Sequence, residues 1–218
     1  NAAILGAFYA REVTKLRNSG RIRAFELFPD EPVHRAWDIG VKDDTSIWWF
    51  QIIAGVPYIL DCYTNHGAGV EHYAEVCRQR GWPPSEDFVP HDAKVLEWGS
   101  NRTRIEAMIA NGLKPRSVLQ HKKLDGISAA RITINTAIFH PRTEEIGIAA
   151  LEQYRREWDD ERKAFAANEF RDWTTHLSDA FRYLAMAWRE LVPESMPQTT
   201  KQIIKAMTKP KTFNDLME

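Results

Sequence analysis

Val33-His34-Arg35-Ala36-Trp37-Asp38-Ile39-Gly40, with residues 45–53 and 56–63 behind it, is the stretch whose reading decides the fold. Residues 33–40 read as a strand ending in an acid and a glycine. Asp43-Asp44 makes a turn, and residues 45–53, rich in β-branched and aromatic side chains, form a second strand. Ala54-Gly55 is a two-residue hairpin signal ahead of a third strand at 56–63. Connections this short predict three consecutive antiparallel strands. Period-two alternation puts Arg35, Trp37 and Ile39 on one face of the first strand, and His34, Ala36 and Asp38 on the other.

Before this block, Leu5, Phe8, Tyr9, Val13 and Leu16 recur at helical spacing and predict a helix over residues 2–19. After it comes an amphipathic helix at 69–80, closed by Gly81. A short strand at 88–90, a helix at 102–110 and a short strand at 117–120 follow. Helices are then predicted at 127–139, 146–165 and 175–191, the alternating charges of 155–163 reading as a solvated helix face. Three antiparallel strands followed by alternating helices and strands argue an α/β mixed sheet with helices on its faces. Residues 1–192 form the expected domain. The Pro-, Ser-, Gln- and Thr-containing stretch 193–218 reads as a loosely attached tail.

The length, 218 residues, suits one large domain. Lys and Arg number 29 against 30 Asp and Glu, so a phosphate-binding surface has to be a local patch. Two cysteines, Cys62 and Cys77, exclude a disulfide framework and fit a reducing interior. His66, His72 and His140 lack metal-ligand spacing to them, which argues against zinc. No apolar run approaches about 18 residues, so no membrane span is expected. A start at Asn1 and not Met reads as a piece of a longer or processed polypeptide.

Three aspartates stand where chemistry could be built. Asp38 ends the first strand on an otherwise apolar face, where a carboxylate is costly to desolvate unless paired or bound to a cation. Asp92 follows the strand at 88–90. Asp179 opens the last strong helix and shares a face with His176 and Arg182, at i−3 and i+3. Each alone reads equally as a turn or helix-start acid. Together they make an oxygen-ligand set for hard divalent cations such as Mg²⁺ or Mn²⁺, with Asp44 a further donor and Asp61 a plain strand-end acid. Two such ions can generate a hydroxide and stabilise the leaving oxygen of a phosphodiester. Lys114, Arg116, Lys122, Lys123 and Arg131, joined by Arg102 and Arg104, form a basic stretch suited to phosphates and not to base reading. It reads equally as a solvated loop. No aromatic interleaving points to single-strand stacking.

Trp37-Asp38-Ile39-Gly40 with Asp43-Asp44-Thr45-Ser46 resembles the first acidic motif of tailed-phage terminase large subunits. Pro90-His91-Asp92 with Ser100-Asn101-Arg102-Thr103-Arg104 resembles the second, and His176-Leu177-Ser178-Asp179-Ala180-Phe181-Arg182-Tyr183 the third. The match runs from about Gly6 to about Leu191. The resemblance implies a ribonuclease H-like nuclease domain that cuts concatemeric viral DNA with two Mg²⁺ or Mn²⁺ ions on Asp38, Asp92 and Asp179, Asp44 being accessory. It also implies work in the host cytoplasm with a packaging ATPase domain, a terminase small subunit and a portal. Where some members carry two adjacent acids in the third motif, this chain has Ser178-Asp179. No Gly-x-x-x-x-Gly-Lys-Ser/Thr motif occurs, so the chain looks like the nuclease part alone. A junction resolvase or transposase-like enzyme would share the acids, and a non-catalytic DNA-binding or motor-docking module would carry them as structure.

Overall fold

The computed structural model describes residues 5–40, 43–94 and 103–192. Its centre is a six-stranded sheet built from β1 (Val33–Asp38), β2 (Asp44–Ile53), β3 (Val56–His66), β4 (Pro84–Val89), β5 (Pro115–Ser117) and β6 (Ile138–Phe139), in the order β5-β4-β1-β2-β3-β6. The β1–β2 and β2–β3 ladders are antiparallel, with Trp37 opposite Ile47 and Trp48 opposite Cys62. The β1–β4, β4–β5 and β3–β6 ladders are parallel. This is the mixed sheet that the turn lengths require.

Both faces of the sheet are covered. One packs on α1 (Ala10–Asn18), α4 (Lys123–Thr136), α5 (Ala149–Gln153) and α6 (Thr174–Ala187), with Ala36, Trp48, Phe50 and Phe88 turned inward. The other packs on α2 (Val70–Gln79) and α3 (Arg104–Ala110), and takes Trp37, Ile47, Trp49 and Val89. Alternation along a strand apolar on both faces therefore sends neighbouring tryptophans 48 and 49 into opposite layers. Burial of these large rings contributes to the driving force at about 25 cal/mol per Å² of apolar surface.

Three expected helices differ. The first begins at Ala10 and not at residue 2. Residues 5–8 instead run as an edge, where Ala7 bridges Arg155 and the Phe8 N–H donates to the Tyr154 carbonyl. Gly6, at φ +79°, makes that edge possible, because the Phe165 ring lies where a side chain would begin. The helix expected over 127–139 spans Lys123–Thr136, and Ile138–Phe139 leave it to pair with Tyr58 and Ile59. The helix expected over 146–165 is a π turn, Glu144–Ile148, running into α5, and it stops at Gln153. A hairpin follows, β7 (Arg156–Asp159) against β8 (Ala164–Glu169). Trp158 faces Phe165 across it with ring centroids 4.9 Å apart, a cross-strand aromatic pair that a helix could not form. Residues 193–218, the expected tail, lie outside the described residues.

His34 gives the fold a pH dependence. Its ring is buried between Phe50 and Phe88, at 5.5 and 6.0 Å, and its Nδ1 has no hydrogen-bond partner. Burial pushes its pKa down to about 4 from 6.5. Below pH 6.5 the unfolded chain binds a proton that the folded chain refuses, so this stability is complete above pH 6.5 and is lost as pH falls towards about 4. The loss amounts to roughly 3 kcal/mol. Urea unfolding of wild type and His34→Leu across this range should show a shallower acid decline in the variant; parallel declines would assign the proton uptake elsewhere.

Candidate metal centre

Asp38 comes last in β1, on the face covered by α6, as alternation along the strand requires. The first turn of α6 lies over it, and His176 Nδ1 stands 2.7 Å from Asp38 Oδ2. Asp38 is nearly buried, and its carboxyl is pushed above the usual range by that burial, with the charge of Asp179 adding to it and the His176 hydrogen bond opposing it. His176 moves upward in turn, chiefly through its bond to Asp38, with Asp44 and Asp43 contributing. The imidazole is thus set among acids from the end of β1 and the start of β2.

Asp179 is one turn further along α6. Its Oδ1 accepts from Arg182 Nη2 at 3.0 Å and from the Tyr154 hydroxyl at 3.4 Å. The i−3, i+3 arrangement expected on this helix is therefore present, His176 reaching Asp38 and Arg182 holding Asp179. Arg182 is buried, and its stem passes over Gly126 of α4 so closely that a Cβ there would collide with it. Asp92 is exposed in the single 3₁₀ turn His91–Lys94 that follows β4. Tyr183 links the three acids electrostatically: its hydroxyl is pushed up mainly by burial, and Asp38, Asp179 and Asp92 all add to the shift. Asp44 begins β2 and bonds His66 Nδ1 at 3.0 Å. Asp61 lies in mid-β3, not at its end, and pairs with Arg80 at 2.9 Å.

Asp38 and Asp179 thus lie near enough for their charges to interact, while Asp92 is exposed in the turn after β4. Among the described residues no three His, Cys, Asp or Glu side chains stand close enough to hold a metal ion jointly. The basic residues are dispersed. Arg116 is held by Glu86 and Glu190, Lys123 by Glu169, and Arg131 Nε by the Phe8 carbonyl. Arg104 donates to the Ile39 carbonyl at 3.2 Å, across the sheet from Asp38. Lys114 and Lys122 are exposed, and Arg102 lies outside the described residues. A mainly apolar cavity of about 210 Å³ is also across the sheet, lined by Trp37, Tyr73, Arg104 and Met108, and it contains no carboxylate. Tyr154 and Gly126 carried no direct signal in the sequence; only their approach to Asp179 and Arg182 in three dimensions marks them.

No protein-family model matches the chain, and no curated protein matches it in sequence. Solved structures do. The nuclease domain of the phage P22 large terminase superposes with a TM-score of 0.59 at 16% identity, over 80% of this chain and 93% of that one. The large terminase nuclease of the thermophilic phage G20c with bound magnesium gives 0.55 at 15% identity, over 85% and 97%. A large terminase from another thermophilic bacteriophage, in complex with ATP-gamma-S, gives 0.59 at 17% identity, over 79% of this chain and 44% of that one. The chain therefore has the ribonuclease H-like fold of phage large terminase nuclease domains, and it spans less than half the length of the large terminase seen with ATP-gamma-S.

Proposed function

We propose that this chain is a divalent-metal-dependent endonuclease domain that cuts double-stranded DNA during viral genome packaging, with little sequence preference. The observation that carries the reading is that α6, which bears His176 and Asp179, lies over Asp38 at the end of a central strand, with His176 Nδ1 2.7 Å from Asp38 Oδ2. Two partly buried carboxylates whose charges interact repel one another, and their oxygens suit a hard cation. The residues fit Mg²⁺ or Mn²⁺: Asp38 and Asp179 would hold a first ion, with Asp92 and Asp44 the acids available for a second. Bound there, the ions would supply an activated water and neutralise charge at the leaving oxygen. His176 fixes the orientation of Asp38, while Arg182 and Tyr154 do the same for Asp179. Lys114, Lys122, Arg102 and Arg104 are proposed to meet phosphates. The likeness to large terminases supports the proposal that a packaging ATPase domain, a small subunit and a portal work beside this domain.

Supercoiled plasmid incubated with the protein and Mg²⁺ or Mn²⁺ should be nicked and linearised. EDTA or Asp179→Ala should abolish the cutting, and scrambling a linear substrate's sequence should barely change its rate. An intact plasmid under every metal condition, at high protein and low salt, would remove the nuclease reading.

A further inference from the structure

The β7–β8 hairpin and the segment that returns from it carry large aromatic side chains in solvent. Trp158 is 46% exposed, Phe170 41% and Trp173 47%. A monomer has no folding reason to leave several such rings uncovered in one region. One of them, Trp173, adjoins the acidic centre along the chain. Trp173 occupies the residue just before α6, three positions ahead of His176, the side chain bonded to Asp38. At 1.5 Å per residue the two positions are roughly 4.5 Å apart along the helix axis. No other ring packs on Trp173 among the described residues. Phe170 has the Arg155 guanidinium 4.5 Å over its ring, and it lines an open groove of about 600 Å³ with Lys123, Arg171, Asn168 and the acids Glu157 and Glu169.

From this arrangement we propose that Trp173 and Phe170 form a base-stacking platform beside the acidic centre, taking unpaired nucleotides of the strand that enters it. The inference rests on the nuclease reading and adds the form of the substrate: DNA opened next to the scissile phosphate. In a closed duplex the base faces are stacked on their neighbours, and only unpaired bases offer a face to an indole. Stacking, and not phosphate attraction, has to carry this binding, since the hairpin at residues 156–169 holds three basic residues against five acidic ones. Two acids of the region are already engaged: Glu169 of the hairpin with Lys123, and Asp172 beyond it with Arg155 and the Thr174 N–H and hydroxyl. Arg171, between the two rings in sequence, has a largely exposed side chain for the strand's backbone. Base–aromatic stacking is sequence-tolerant, in keeping with a nuclease of little sequence preference.

The test compares two oligomers of about 12 nucleotides with the same number of phosphates, one of thymidine and one wholly abasic, by fluorescence anisotropy in EDTA at low salt. The protein should bind the thymidine oligomer about tenfold more tightly than the abasic one. Trp173→Ala should reduce that preference to about twofold or less, and Trp173→Phe should retain most of it. Equal affinity for both oligomers in the wild type would overturn the proposal, as would a preference that survives both Trp173→Ala and Phe170→Ala. No cutting is required in this assay. A protein that cuts plasmid without base preference loses only the platform, and one that shows the preference without cutting loses the nuclease.

Discussion

Asp87→Ala should cost about 3–5 kcal/mol of folding stability, enough to unfold much of the population of a domain whose total is about 5–15 kcal/mol. Asp87 is fully buried in β4, in parallel register with Arg35 of β1. Its Oδ1 accepts from Arg35 Nε at 2.6 Å and from Trp37 Nε1 at 2.8 Å; its Oδ2 accepts from Arg35 Nη2 at 2.9 Å and from the Lys114 backbone N–H at 2.7 Å. One carboxylate thereby satisfies donors from β1 and from the residue that leads into β5. Removing it leaves a buried guanidinium without a counter-charge, together with an orphaned indole N–H and backbone N–H. Asp87→Asn should be nearly as damaging, because its amide nitrogen points a donor at donors. A double variant, Arg35→Met with Asp87→Leu, removes the stranded charge and should recover part of the loss, with about 1–3 kcal/mol of coupling between the sites. Urea midpoints of the single and double variants measure this directly. Additive losses would show that the pair does not act as a unit.

That network was not legible in the sequence, whereas the sheet it braces was. Residues 33–63 are rich in β-branched and aromatic side chains and are joined by turns too short for anything but antiparallel pairing, so the pairing of these three strands and the face of Asp38 followed from local chemistry. Asp87 sits among Pro84, Ser85 and Glu86, and nothing in that run announces that a carboxylate will be buried against Arg35. The hairpin failed for a related reason. Residues 155–163 are rich in good helix formers, and the competing term is non-local: Ala7 and Gly6 supply the edge partners of Arg155 and Arg156. Reading that stretch as a solvated helix also concealed its exposed aromatics, so the expectation of no stacking surface took no account of Trp158, Phe170 and Trp173. In the candidate site, the helical spacing of His176, Asp179 and Arg182 was readable. The basic stretch was readable as charge, but not the carboxylates that pair with two of its members, Glu86 and Glu190 with Arg116 and Glu169 with Lys123.

Asp38→Asn should separate catalysis from folding. In the nuclease reading, cutting should fall on the order of 10³-fold, since a buried anionic ligand is lost and the amide cannot replace its charge. Stability in EDTA should move the other way. The amide oxygen still accepts a hydrogen bond from His176, while the desolvated charge and its repulsion from Asp179 are gone. The apo variant should therefore be as stable as wild type, or more stable by about 1 kcal/mol. Mg²⁺ should then distinguish the two proteins. A cation that binds only the folded site stabilises it by RT ln(1 + [L]/Kd), about 2.7 kcal/mol at 100 times Kd, and that increment belongs to the wild type alone. Thermal unfolding with and without Mg²⁺, run beside the plasmid assay, reads all three effects. A purely structural Asp38 would give the opposite pattern: lower stability in EDTA, an equal response to Mg²⁺ in both proteins, and cutting reduced only as far as the fold is lost.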